Sequence, residues 1–126
     1  MTKIENQPRT IILIAEDEDI SYLYLSSILK KEPIDVLRAN NGQEAVEICN
    51  SNQDINLVLM DINMPVMDGF EATSLIKSTR SDLPVIAVTA YAFNHTELNA
   101  KKAGCNDYLE KPVSREKLIT TIQKYL

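Results

Sequence analysis

Cysteine, glycine and tryptophan are scarce in this 126-residue sequence, which has two cysteines, three glycines and no tryptophan. Neither Cys49 nor Cys105 has a Cys or His neighbour at the spacing of a zinc site, so we expect two reduced, buried thiols. Apolar runs are short: none approaches the ~18 residues that indicate a membrane span, and the polar N-terminus lacks a signal peptide's apolar core. These absences argue against a zinc module, membrane contact and export, and favour a cytoplasmic location.

Positive charge is the minority sign. The sequence has 13 Lys and Arg residues against 18 Asp and Glu residues, a formal net charge of −5. Direct binding to nucleic acid is therefore not expected, because that function needs a basic face. Apolar residues make up 44% of the chain, and the length fits a single globular domain. Such a domain suits a divalent cation better than a polyanion.

Short apolar runs alternate with helical patterns along the chain. Continuous apolar runs at 11–15, 57–60 and 85–88 predict strands that are covered on both faces. Mixed runs at 36–39 and 107–110 predict two edge strands. Helices that join strands in this way require parallel pairing and right-handed crossovers. The pattern predicts an α/β fold of three layers, an open doubly wound sheet made of five βα units.

Helix starts and apolar stripes are also visible. Asn41, Asp68 and Asn94 each lie three residues before a Glu, and Ser114 precedes the last helical pattern, so each predicts a helix N-terminus. Apolar side chains repeat with helical spacing in the first helix, and we expect the stripe of the last helix to face the core. The two stripes are Ile20, Leu23, Tyr24, Ile28 and Leu29, and Leu118, Ile119, Ile122 and Leu126.

Chemically reactive side chains follow four of the five predicted strands. Glu16 and Asp17 follow the first, Asp61 the third, Thr89 the fourth and Lys111 the fifth. Ligands bind at the carboxyl ends of the strands in open parallel sheets, so we expect these side chains to gather in one shallow cleft. Taken singly, each has an ordinary explanation as a helix-start carboxylate, a turn aspartate, a strand threonine or a surface lysine.

The expected cluster has specific chemistry. Two carboxylates ~4 Å apart repel by about 4 kcal/mol at an effective dielectric constant of ~20, which favours a bound proton or a cation. Oxygen ligands with open coordination positions suit Mg²⁺, which would bridge an incoming phosphoryl group. Asp61 is then a nucleophile that forms an acyl phosphate. Lys111 supplies positive charge to one phosphate oxygen, and the Thr89 hydroxyl donates to another.

Four segments resemble the defining motifs of response-regulator receiver domains, the CheY-like family. They are 14–18, 60–69, 88–90 and 108–112. The resemblance covers residues 10–126 and leaves 1–9 as a polar N-terminal tail. It implies a flavodoxin-like (βα)5 fold with five parallel strands in order 2-1-3-4-5, the order known for the chemotaxis regulator of this family.

The resemblance implies a role for each residue of the cleft. Asp61 is the phosphoacceptor. Asp17, Asp61 and the backbone carbonyl of Asn63 bind Mg²⁺, for which Mn²⁺ substitutes, and Glu16 acts mainly through water. Glu16 stands where many family members have Asp, so its longer side chain leaves the outer coordination less defined. Asn63 and Tyr91 flank the phosphate entrance and tune hydrolysis of the acyl phosphate.

Two further features are implied on the neighbouring strands. Thr89 and Tyr108 resemble the switch pair of the family, in which phosphate draws the hydroxyl inward and the aromatic ring follows. The peptide bond between Lys111 and Pro112 is expected to be cis, a state that only X–Pro bonds reach at low cost.

By this resemblance the chain is a phosphoacceptor in a two-component phosphorelay. The donor is the phosphohistidine of a histidine kinase or of a histidine phosphotransfer protein, and the domain catalyses only its own phosphorylation and dephosphorylation. The motifs look most like those of hybrid sensor histidine kinases, in which the parent protein is a kinase and the receiver is the cytoplasmic part of a membrane-anchored sensor. A stand-alone, single-domain response regulator is the alternative.

Three surface features complete the expectations. Tyr22 and Tyr24 cannot both point inward, so one of them is a candidate for a patch that docks a partner helix. His95 is conceivable as a phosphodonor, but an exposed place in the first turn of the fourth helix is the simpler interpretation. A homodimer through the face of the fourth helix, fifth strand and fifth helix stays open.

Other functions fit less well. A phosphatase of the haloacid-dehalogenase pattern needs a second Asp two residues after the nucleophile, where this chain has Asn63. A flavodoxin-like carrier of FMN needs a phosphate loop after the first strand, and the acidic residues at 16–19 would repel the phosphate. A receiver fold that signals without phosphorylation would not need the complete set of Asp17, Asp61, Thr89 and Lys111.

Overall fold

The structure is a computed structural model that describes residues 9–90 and 96–126. Strands and helices alternate along them. The strands are β1 (Thr10–Ala15), β2 (Ile34–Ala39), β3 (Leu57–Asp61), β4 (Val85–Thr89) and β5 (Asp107–Glu110). The helices are α1 (Asp19–Leu29), α2 (Gly42–Ser51), α3 (Gly69–Thr79), α4 (Thr96–Ala103) and α5 (Arg115–Gln123). The predictions for Tyr91, Asn94 and His95 lie outside the described residues, as does the tail before Arg9.

The five strands form one parallel sheet in the order β2-β1-β3-β4-β5. This confirms the predicted doubly wound α/β fold and its strand order. The register aligns the strand ends, because Ala15 pairs with Met60 and Asp61 pairs with Val88. The carboxyl ends of β1, β3, β4 and β5 therefore lie side by side at one edge of the sheet.

Alternating side chains of the sheet enter two apolar layers, as expected for strands that are covered on both faces. Ile12 and Ile14 of β1 pack in the layer that also holds the buried residues of α1 and α5. Leu13 and Ala15 pack in the opposite layer with α2 and α3. A smaller cluster continues that second face beneath α4, around Ala100.

Side-chain caps begin three of the helices as predicted. The Asn41 side chain accepts from the Glu44 N–H at 2.8 Å, and the Asp68 side chain accepts from the Glu71 N–H at 2.9 Å. The Ser114 hydroxyl accepts from the N–H of residue 117 at 3.1 Å. Each bond satisfies one of the backbone donors that a helix start leaves without a partner.

The helical stripes are only partly buried. In α1, Leu25, Ile28 and Leu29 face the core, whereas Ile20 and Leu23 are 83% and 61% exposed. Leu126 is 53% exposed, which corrects the inward stripe predicted for the last helix, because α5 ends at Gln123. Spacing identifies an apolar side of a helix but does not show whether the core or solvent lies against it.

The two thiols differ in burial. Both cysteines are free, with Cys49 buried but Cys105 only half-buried, so the expectation of a buried thiol fails for Cys105.

Arg9 is the one described residue of the predicted tail, and its side chain pairs with Asp35 at 2.8 Å. Within residues 9–90 and 96–126, no helix has both the length and the apolarity to cross a bilayer.

Candidate functional site

Three carboxylates converge where β1 and β3 end. Carboxylate oxygens of Glu16, Asp17 and Asp61 lie within 4.8 Å of one another. Glu16 and Asp61 are 1% and 6% exposed, whereas Asp17 is exposed to solvent. The parallel register explains the meeting, because Glu16 and Asp61 each follow a residue of the Ala15–Met60 pair. The result is an all-oxygen cluster, buried on one side and open on the other, which is the donor set that Mg²⁺ prefers.

Lys111 contributes the positive charge of the site. Its Nζ lies 2.8 Å from Glu16 Oε1 and 3.8 Å from Asp61 Oδ1. Burial disfavours the charged amine, but the hydrogen bond to Glu16 and the charge of Asp61 outweigh that effect and raise the pKa of Lys111. The lysine therefore stays protonated beside the two buried carboxylates.

One lysine does not neutralise the cluster. Burial, followed by the negative charge of Glu16, raises the pKa of the Asp61 carboxyl from 3.8 to about 7. Lys111 and a hydrogen bond from the Asn63 backbone act in the opposite direction without cancelling the rise. The positive charge of Lys111 thus does not balance the negative charge of the cluster, and the carboxylate oxygens fit a divalent cation.

Thr89 and Tyr108 lie on the same face of the sheet. Ala87 and Thr89 are two residues apart in β4 and so point to the same side. Tyr108 pairs with Ala87 and packs, half-buried, against the small cluster that includes Ile62 and Ala87. Thr89 itself is buried. The two residues thus occupy neighbouring strands on the face that α4 covers, beside the end of β3.

The turn after β5 places Lys111 at the site. The Lys111–Pro112 peptide bond is cis, as the resemblance implies. The N–H of Lys111 donates to the carbonyl of Thr89 at 2.7 Å, which continues the β4–β5 ladder one residue beyond β5. The ladder holds the lysine backbone level with the end of β4.

Comparison with protein families gives one decisive match. The model of the response regulator receiver domain matches residues 12–123, nearly the whole chain. This chain belongs to the response-regulator receiver domain family. Its curated relatives include the polar-differentiation response regulator DivK of Brucella anthropi, 32% identical over 91% of this chain and 94% of that protein.

Solved receiver structures share the fold of this receiver. The receiver domain of the sensor histidine kinase PA1611 from Pseudomonas aeruginosa, described with a magnesium ion coordinated in its active site cleft, is 31% identical with a TM-score of 0.87. The match covers 94% of this chain and 98% of that one. The Ssk1 receiver of Saccharomyces cerevisiae, co-crystallised with the phosphotransfer protein Ypd1, is 33% identical with a TM-score of 0.86, over 94% and 89% of the chains.

Gly69 is predicted from the sequence as backbone relief at a helix start, and the structure adds its contact with the end of β3. Its N–H donates to the carbonyl of Ile62 at 2.9 Å. A Cβ at this position would lie 2.2 Å from the carbonyl oxygen of Asp61 and 2.9 Å from the Cα of Ile62. The start of α3 therefore touches the backbone of Asp61, and the Asp-Gly pair after the third strand is the signal that marks this contact.

The contact of Arg38 with the site was not predicted from the sequence. It lies on the edge strand β2, opposite Ile14 of β1, and its side chain reaches the loop that carries Glu16 and Asp17. The sequence signal is weak, because a charged residue on an edge strand is usually exposed to solvent.

Proposed function

We propose that this receiver takes a phosphoryl group from a phosphohistidine onto the side chain of Asp61. An Asp61 carboxylate oxygen forms the new bond to phosphorus as the bond from phosphorus to the donor imidazole breaks. The imidazole leaves with the electron pair of that bond. The observation that carries the proposal is the convergence of Asp61 with Glu16 and Asp17 within 4.8 Å, beside Lys111.

Mg²⁺ is the proposed metal, with Mn²⁺ as a substitute. Asp17, Asp61 and the backbone carbonyl of Asn63 would hold it, with Glu16 acting mainly through water. Support comes from the all-oxygen donor set and from the magnesium ion described for the PA1611 receiver. When bound, the ion neutralises charge on the phosphoryl oxygens during transfer.

In this proposal the remaining residues of the cleft bind the phosphoryl group and change conformation in response to it. Lys111 offers its ammonium to one phosphoryl oxygen, in exchange for part of its contact with Glu16, and the Thr89 hydroxyl donates to another. In this proposal Tyr108 follows Thr89 inward, since both lie on the face that α4 covers. By the same resemblance, Asn63 and Tyr91 are proposed to tune hydrolysis of the acyl phosphate.

Phosphorylation with a small donor tests the acceptor. Purified protein with acetyl phosphate and Mg²⁺ should gain the mass of one phosphoryl group, and chelation of the metal should prevent the gain. Asp61→Asn should abolish it, whereas Asp54→Asn, at an exposed carboxylate away from the cleft, should leave it unchanged. Equal labelling of the Asp61→Asn protein would show that another residue accepts the phosphoryl group.

We also propose where the donor protein docks. A groove of about 520 Å³ runs beside the cleft, and its lining includes Ile20 and Tyr24 of α1, together with Lys111 and Pro112. Ile20 and Tyr24 are large and exposed, at 83% and 46%. An amphipathic helix that carries a phosphohistidine fits such an apolar surface next to a charged site. The Ypd1–Ssk1 receiver complex supports a phosphotransfer protein as the partner class.

Two donors separate docking from chemistry. Ile20→Lys should slow transfer from a purified, phosphorylated histidine phosphotransfer protein but leave phosphorylation by acetyl phosphate unchanged. Leu98→Lys is the matched control, because Leu98 is also apolar and 50% exposed but lies on α4. If both variants slow protein-dependent transfer equally, the groove is not the docking site.

The wider context of the receiver is part of the proposal. We infer from the motifs a receiver of a hybrid sensor histidine kinase, with a stand-alone regulator as the alternative. The likeness to the PA1611 receiver, at 31% identity, and to DivK, at 32%, does not separate them. The flanking coding sequence is the test, since a hybrid kinase places a kinase core on the same chain. Gel filtration with and without beryllofluoride tests a homodimer through α4, β5 and α5.

A further inference from the structure

Arg38 fastens the loop that carries two of the three carboxylates. Its Nε and one terminal nitrogen donate to the carbonyl oxygen of Glu16 at 3.2 and 3.1 Å. Its other terminal nitrogen pairs with Asp19 at 2.9 Å, and its guanidinium lies 4.5 Å from the centre of the Tyr22 ring. One side chain on β2 thus engages the loop at its start and α1 at its first turn.

With this contact, every polar group of Glu16 has a partner. The N–H of Glu16 donates to the carbonyl oxygen of Ala39 at 3.0 Å. Its Oε1 accepts from Lys111 Nζ at 2.8 Å, and its Oε2 accepts from the N–H of Glu18 at 3.2 Å. Arg38 takes the remaining group, the carbonyl oxygen. That carbonyl belongs to the Glu16–Asp17 peptide, so its direction sets the position of the Asp17 Cα.

Asp17 depends on its backbone for position. Over residues 9–90 and 96–126, its carboxylate receives no hydrogen bond and forms no ion pair. It is exposed, yet one of its oxygens lies within 4.8 Å of Glu16 and Asp61 oxygens. The backbone that Arg38 holds is therefore what keeps Asp17 in the cluster.

We propose that Arg38 is a positioning residue for the metal site, which it serves by holding the Glu16–Asp17 peptide so that Asp17 faces Asp61. This inference rests on the proposed Mg²⁺ site. It does not require Arg38 to touch the metal or the phosphoryl group.

Electrostatics and positioning predict opposite effects when Arg38 is removed. A cation near a cation site repels the incoming ion, so loss of the Arg38 charge alone would strengthen Mg²⁺ binding. Loss of positioning would weaken it, since partners that orient metal ligands typically contribute about 10- to 100-fold in affinity. The direction of the change in Mg²⁺ affinity therefore decides between the two effects.

Metal titration of unphosphorylated protein gives the readout. Isothermal titration with Mg²⁺, and electron paramagnetic resonance with Mn²⁺, should show about 10-fold weaker binding for Arg38→Met. Arg38→Lys keeps the charge and can pair with Asp19, but an ammonium cannot reproduce the planar fork to Glu16, so it should also bind more weakly. Circular dichroism checks that each variant is folded. If Arg38→Met does not fold, the Mg²⁺ affinity of Arg38→Lys tests the proposal.

Two results would overturn the inference. Tighter Mg²⁺ binding by Arg38→Met means that the charge of Arg38 governs the effect, and unchanged binding means that Arg38 does not position the site. Wild-type affinity in Arg38→Lys means that the fork to Glu16 is dispensable. Asp17→Asn in the same titration isolates the proposed metal site. If Asp17→Asn binds Mg²⁺ as wild type does, the site itself is wrong; if it loses binding while Arg38→Met does not, only the role of Arg38 fails.

Discussion

Asp61 is the residue at which chemistry and stability conflict most directly. Asp61 is the proposed phosphoacceptor, and as a carboxylate that is 6% exposed next to Glu16 it makes the folded protein less stable when both are charged. The protein tolerates the conflict because Lys111 and the Asn63 backbone compensate part of it. The remaining penalty should appear in the pH dependence of stability.

Replacing Asp61 by Asn should stabilise the metal-free protein in a pH-dependent way. The pKa of Asp61 rises from 3.8 in the unfolded chain to about 7 in the folded protein. The folded state holds an extra proton between these values, so stability falls as pH rises through the window and the loss is complete above it. Asn removes the ionisation, so unfolding by urea with chelator should show a gain of up to about 4 kcal/mol at about pH 8.

The same gain should shrink toward about pH 5, where folded Asp61 is already protonated. Asp54→Asn, at an exposed carboxylate, should change stability little at either pH. A gain for Asp61→Asn that does not vary with pH would show that lost packing strain, rather than charge, explains the stabilisation.

Val66 has strained backbone in the loop that follows Asp61. Its φ is 72°, in the left-handed region, although its side chain is β-branched and 81% exposed. Asn adopts this conformation at lower cost, so Val66→Asn should raise the free energy of unfolding by about 1 kcal/mol in chemical denaturation. Val66→Ala removes the branching but lacks Asn's local hydrogen bonding, so it should gain less; no gain for Val66→Asn would refute the backbone explanation.

At the scale of elements, α3 is placed by contact with β3, the strand that ends in Asp61. Asp68 caps the helix, and Gly69 then brings its first turn against the carbonyl of Asp61. No side chain can rotate to make room at this contact, because the nearest atoms are all backbone. The backbone at the start of α3 therefore cannot move without moving the backbone of Asp61.

Gly69→Ala should therefore destabilise the protein, although Ala is the better helix former by about 1 kcal/mol. A Cβ 2.2 Å from the Asp61 carbonyl forces α3 or the end of β3 to shift, at a cost of roughly 1–3 kcal/mol, and should slow labelling by acetyl phosphate as Asp61 moves. Thermal unfolding and mass spectrometry measure the two effects. Ser74→Ala, on the exposed side of α3, is the control and should be nearly neutral; a stabilised Gly69→Ala protein would rule out the close contact.

The elements themselves were largely predictable from local pattern. Continuous apolar runs identified the three inner strands and mixed runs identified the two edge strands. The spacing of Asn41 and Asp68 from a following Glu identified helix starts that the structure confirms. The exposed side of α1 was not predictable as such, because Ile20 belongs to the same periodic stripe as the buried Ile28. Burial depends on what packs against the helix, which periodicity does not contain.

Site residues were predictable where a strand end placed them. Glu16, Asp17 and Asp61 were expected together because parallel strands end at the same edge, and the structure brings their oxygens together. Arg38 was missed because its contact with Glu16 depends on the register between β1 and β2 and on the path of a long side chain. A contact of this kind joins residues that are distant in the sequence, so the local spacing of residue types does not predict it.

At the scale of the whole molecule, the fold concentrates negative charge at one edge of the sheet. Apolar layers on both faces stabilise the sheet, while three carboxylates meet one nearby lysine at its carboxyl edge. A cation that binds this edge only in the folded state must stabilise the entire domain, because unfolding separates its ligands. Metal binding and global stability are therefore linked.

Mg²⁺ should raise the melting temperature, and more so at high pH. At a tenfold excess over its dissociation constant, an ion that binds only the folded state adds about 1.4 kcal/mol to the free energy of unfolding. Protons compete for Asp61, whose pKa is about 7, so the stabilisation should be larger at alkaline pH and should shrink as Asp61 takes up its proton. Differential scanning calorimetry, with NaCl at matched ionic strength as the reference, measures the shift. Asp17→Asn should lose most of it, since the variant removes one carboxylate of the cluster. An equal shift in that variant would assign the effect to general screening of charge.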